Sequence, residues 1–250
     1  MTTIASNYPL WPAGQAAVTP AGVSVADTAA GAPSAVVPSA GVSTGVSISS
    51  LASRLSRAEG ARGEALSHGA LGDKVRANIE RINYPLDAQH KAVAAQQLPE
   101  PNEAASSASA QAANAYVDNP RGPNPFAGLS REQLSTIVND ESGTFTINEQ
   151  RAAYRQAYDE EQKWREKVVA QAMQEYHETG KLTDFFKAAL DHFNGLPETE
   201  QALYPADYGA DLQDKIDLDF NYFTHSAGGQ SGVTSAIERA LGRREPAANP

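Results

Sequence analysis

The chain has 250 residues, a formal net charge of −10 and no cysteine. The missing cysteine excludes disulfides, thiolate catalysis and Cys-ligated metals. The acidic balance argues against nucleic-acid binding, because such a surface repels phosphate backbones. No apolar run approaches the length of a membrane span, so none is expected.

Residues 1–47 are rich in Ala, Ser, Val, Gly and Pro, and residues 1–50 carry one charged side chain, Asp27. Such a segment cannot bury enough surface to offset the entropy of ordering, and the sequence predicts a long disordered arm. Its start has no basic region followed by a continuous apolar one, so a cleavable signal peptide is not expected.

From Ile48 the pattern turns helical. Ile48, Leu51 and Leu55 make one stripe, and Leu71, Val75, Ile79 and Ile82 make a second that stops before Tyr84-Pro85. These narrow stripes predict marginal amphipathic helices over 48–95. Residues 96–121, with their Ala, Ser, Asn and Pro, read as a linker.

A compact acidic domain is expected at 122–225. Residues 121–225 hold 14 of the 18 aromatic side chains and a charge balance of −9. Ser130 stands three residues before Gln133, and Thr146 three before Glu149; both pairs are capping boxes that open helices. The second helix carries Tyr154, Ala157, Tyr158, Trp164, Val168, Ala172 and Tyr176 at three- and four-residue steps and stops near Gly180. Glu161 interrupts that stripe, which predicts a paired or rim carboxylate. Trp164 is expected to be buried against Phe186, Phe193 or Phe220. A third helix starts at Thr183, a short one follows Pro197, and a last one is predicted from about Ala206 through Phe220 and Phe223. The expected fold is therefore all-α: a small domain of about four helices after a disordered arm, with a flexible tail at 226–250.

The loop Val138-Asn139-Asp140-Glu141-Ser142-Gly143-Thr144-Phe145-Thr146-Ile147-Asn148-Glu149 resembles a degenerate EF-hand. Gly143 falls at the sixth position, where the chain turns sharply, and Glu149 at the twelfth, where a bidentate carboxylate closes the calcium shell. The resemblance implies Asp140, Ser142, Thr144, Thr146 and Glu149 as calcium ligands. It departs at position one, where Val138 stands in place of Asp, and no second hand is visible. The alternative is a helix–turn–helix joint in which Thr146 and Glu149 serve only as caps.

Other features carry less chemistry. His68, His90, His177, His192 and His225 form no zinc or di-iron signature. Asp211, Asp214, Asp217 and Asp219 read as a solvated helix face. The Gly228-Gly229-Gln230-Ser231-Gly232 run lacks the spacing of a nucleophile elbow. The expected function is that of a non-enzymatic helical interaction protein with a protein partner, no cofactor and a cytoplasmic setting. One alternative is export without a cleavable signal peptide, since the arm resembles the signals of bacterial type III-like export. Another is a weak calcium-binding module.

Overall fold

A computed structural model describes residues 48–228; the arm expected at 1–47, and the tail beyond 228 with its Gly-Ser run, lie outside the described residues. Within them the chain is mostly helical, with nine α-helices and one two-stranded hairpin. The helices are α1 (Ile48–Gly60), α2 (His68–Asn83), α3 (Ala88–Gln96), α4 (Ala104–Asp118), α5 (Arg131–Val138), α6 (Ile147–Thr179), α7 (Thr183–Gly195), α8 (Glu198–Gln201) and α9 (Tyr208–Leu218). Strands β1 (Phe220–Asn221) and β2 (Ser226–Ala227) pair antiparallel. Among the described residues no helix is long and apolar enough to cross a membrane.

Helix α6 is the axis. Its 33 residues rise about 50 Å at 1.5 Å each. Both capping boxes form: Ser130 with Gln133 opens α5, and Thr146 with Glu149 opens α6. Each cap answers two backbone N–H groups that have no partner inside the helix. The far end of α6 closes at Gly180 in a left-handed conformation.

Helices α4 and α5 lie along the first half of α6, with α1 and α2 beside them. The core cluster joins Leu55 and Ala58 of α1, Ile82 of α2 and Ala113 and Tyr116 of α4 to Leu134, Ile137, Phe145, Ala152 and Ala157. Helices α7 and α9 pack on each other, and α7 packs on the second half of α6. The two ends meet where α2 touches α8. A Cβ on Gly72 would stand 2.2 Å from the Ala202 carbonyl oxygen, so only glycine permits this approach.

Three expectations are corrected. The segment read as a linker, 96–121, contains α4. It buries Ser106, Ser109, Ala110, Ala113 and Tyr116, which recur at helical spacing; a stripe of small residues lets two helix backbones approach closely while showing no large apolar pattern. The core accordingly extends upstream of residue 122. The last helix ends at Leu218 rather than at Phe223, because Asp219 turns to φ 44°. Asp219 is held there by an ion pair with Lys181 and a hydrogen bond from Thr183. Among the described residues the helix count is nine, not about four: α5–α9 lie in the expected domain and α1–α4 upstream of it.

Candidate functional site

The EF-hand-like loop runs from α5 into α6. Gly143 has φ 81°, a turn that a residue with a Cβ adopts only under strain. Asp140 is buried and faces back into the loop: its Oδ1 accepts from the Ser142 amide at 3.0 Å and its Oδ2 from the Phe145 amide at 2.8 Å. The Ser142 hydroxyl bonds to Asp140 and to Thr144 Oγ1. Asp140, Ser142 and Thr144 are thus brought together by their side chains.

Thr146 and Glu149 form a second group. Glu149 Oε2 accepts from the Thr146 amide at 2.8 Å, and Ser109 of α4 donates to Oε1 at 2.6 Å. The carboxylate has no exposed surface. Its counter-charge is Arg54 of α1, whose Nη2 lies 2.9 Å from both carboxylate oxygens and 2.8 Å from the Thr144 carbonyl oxygen. The Arg54 guanidinium also stands over the Phe145 ring, 4.2 Å from its centroid. Stacking on the ring answers part of a cation whose Nε and Nη1 have no hydrogen-bond partner among the described residues.

The five residues suggested as calcium ligands therefore fall into two groups, joined through Arg54. That guanidinium touches the carbonyl of the loop's seventh residue and the carboxylate of its twelfth, two of the oxygens a calcium ion takes in an EF-hand. Among the described residues no group of three or more His, Asp and Glu is placed to hold a metal ion. Arg54 was not foreseen from sequence. Its one signal is a charge inside the apolar stripe between Leu51 and Leu55.

A second charged network sits midway along α6 and explains the interruption at Glu161. This buried carboxylate receives His192 Nε2 of α7 at 2.9 Å and Arg165 Nε at 3.0 Å, with Arg131 of α5 at 3.5 Å. Arg131 in turn pairs with Glu200 of α8 at 2.6 Å. Burial raises the Glu161 pKa, but the hydrogen bonds from His192 and Arg165 and the charge of Arg131 outweigh it and hold the group at about 2. Trp164 is half-buried, and its ring partner is His192, parallel at 3.6 Å; the expected Phe partners are not in ring contact with it. The network ties α5, α6, α7 and α8 together.

A groove of about 810 Å³ lies between α1, α4 and the segment before α5. Leu51, Ala52, Ala112, Ala115, Pro123 and Leu129 are among the residues that line it. None of the described residues lining it is charged. Comparisons with protein families, with characterised proteins and with solved structures found no match for this chain.

Proposed function

We propose that this chain is a non-enzymatic helical interaction protein that holds an apolar, uncharged segment of a protein partner in the α1–α4 groove. The observation that carries the reading is the lining: a charge-free concavity on a chain of net charge −10. Its size falls in the range of clefts that bury a ligand, and its alanine walls let a partner backbone come close. The excess negative charge favours basic residues flanking the docked segment. The buried acids support a non-catalytic reading as well. Glu149 and Glu161 are both answered by protein cations. The loop is read as a structural joint in which Arg54 supplies the positive charge, rather than as a calcium module.

The lack of cysteine makes a direct test convenient. A photo-crosslinker placed on Ala115→Cys probes the groove, and one on Ala210→Cys, exposed on α9, serves as control. The expected result is an adduct from the groove probe alone, mapped to an apolar segment with basic flanks and lost in Ala112→Glu. Identical adducts from both probes would overturn the reading, as would no adduct. So would an adduct to residues 1–47 of the same chain, because the groove would then be closed by the protein itself.

A further inference from the structure

A separate cavity of about 300 Å³ lies between α2, α4 and α6. In a chain of net charge −10, it is lined by Arg151, Arg155 and Lys91 together with Tyr84, Tyr154 and Tyr158, and among the described residues by no carboxylate. Arg151, Tyr154, Arg155 and Tyr158 stand at positions i, i+3, i+4 and i+7 of α6, so they share one face. Tyr84 follows the end of α2, and Lys91 comes from α3.

Arg151 is the unusual member. It is 8% exposed. Its Nε donates to the Ile82 carbonyl and its Nη1 to Asn148 Oδ1 at 2.8 Å. Among the described residues it has no carboxylate partner, whereas Arg54 pairs with Glu149 and Arg131 with Glu200. Burial lowers its pKa, and no neighbouring acid offsets that. Arg155 and Lys91 are exposed, and neither has an ion-pair partner among the described residues. The nearest acid along the helix, Asp159, lies one turn beyond Arg155 and outside the lining. A buried cation without a counter-ion is costly, and an anion in the cavity would offset that cost. Burial also pushes the Tyr154 hydroxyl well above its ordinary pKa, which keeps it a neutral donor.

We infer that this cavity binds a small organic anion: one oxyanion head, carboxylate or phosphate, on an aromatic or branched aliphatic body. The head lies between Arg151 and the Arg155 and Lys91 cations. The body lies against Tyr84, Leu86 and Tyr158. The planar guanidinium matches either oxyanion with paired hydrogen bonds. The site is independent of the partner groove, apart from Tyr116, which lines both.

Calorimetry on the full chain with benzoate, phenyl phosphate, inorganic phosphate and benzyl alcohol tests this. The expected result is saturable one-to-one binding of benzoate or phenyl phosphate, with benzyl alcohol at least about tenfold weaker. Arg155→Glu should weaken that binding by about tenfold or more at an unchanged melting temperature. Because Arg155 is exposed, this variant tests the site even if Arg151→Met fails to fold. Equal binding of benzyl alcohol would overturn the inference, as would an affinity untouched by Arg155→Glu. So would inorganic phosphate binding as tightly as phenyl phosphate, or no saturation by about 10 mM of either aromatic anion.

Discussion

Around the first turns of α6 the apolar partners are mostly aliphatic or small, and they are sealed: Ile82, Ala113, Leu134, Ile137, Ala152 and Ala153 have no exposed surface. Around its last turns the partners are aromatic and half-open. Tyr176 meets Phe223 and Tyr222, and Phe193 meets Tyr204 and Tyr208, in tilted or edge-on pairs. Helix α6 itself buries two carboxylates, Glu149 in its first turn and Glu161 midway. Glu149 is met by a single arginine from a distant helix, and Glu161 by a histidine and two arginines spread over three helices. The contrast teaches that aromatic density does not locate the dry core of this chain. Only Phe126 and Phe145 are aromatics among the largest fully buried side chains. Rings at the other end join helices through tilted and edge-on contacts and stay partly wet.

The comparison breaks most easily at Glu149. Glu149→Gln leaves Arg54 buried without its counter-charge and should cost about 3–5 kcal/mol in urea unfolding. Adding Arg54→Met should recover part of that loss. Strictly additive single effects would show that the pair is not coupled. Calcium at about 1 mM should leave the wild-type melt unchanged; a calcium-dependent rise, lost in Glu149→Gln, would restore the EF-hand reading.

Acid should act on the other carboxylate. The folded Glu161 pKa of about 2 lies below its ordinary 4.5. A depressed carboxylate contributes stability that is fully present above about pH 4.5 and is lost as pH falls toward 2; at 1.36 kcal/mol per unit this is about 3 kcal/mol. In a Trp11→Phe background Trp164 is the only indole, and its fluorescence should report the loss. Glu161→Gln should flatten the pH dependence across that window, and an unchanged slope would place the acid sensitivity elsewhere.

The mildest difference lies between two rings. Phe145→Ala, in the sealed end, should cost about 3–5 kcal/mol. Trp164→Ala, half-exposed on His192, should cost about 1–2 kcal/mol, a stacking pair plus partial burial. Equal costs from thermal melts would mean the two ends are packed alike.

What was legible in the sequence was local. The caps at Ser130 and Thr146 each rest on residues three apart, and both helices begin where they should. The stop before Tyr84-Pro85 and the close of α6 at Gly180 follow from single residues. Helix α4 was hidden because its buried stripe is made of Ser and Ala, which read as linker. The end of α9 was overrun because Phe220 and Phe223 continue the apolar spacing, while Lys181 and Thr183, almost forty residues upstream, decide where the helix stops. At the candidate site, the loop's own turn and caps were visible. The Arg54 pairing was not, because no pattern links residues 95 apart.

That separation also has a consequence for synthesis. Arg54 is added to the chain about 5–20 s before Glu149 at elongation rates of about 5–20 residues per second. Through that interval the α1 guanidinium lacks its Glu149 partner, and the first half of the chain is finished in sequence but not in structure. Chains stalled shortly before residue 149 should leave Arg54 open to a guanidine-directed reagent, and chains stalled well beyond it should protect it. Protection in the shorter chains would mean that α1 docks without Glu149.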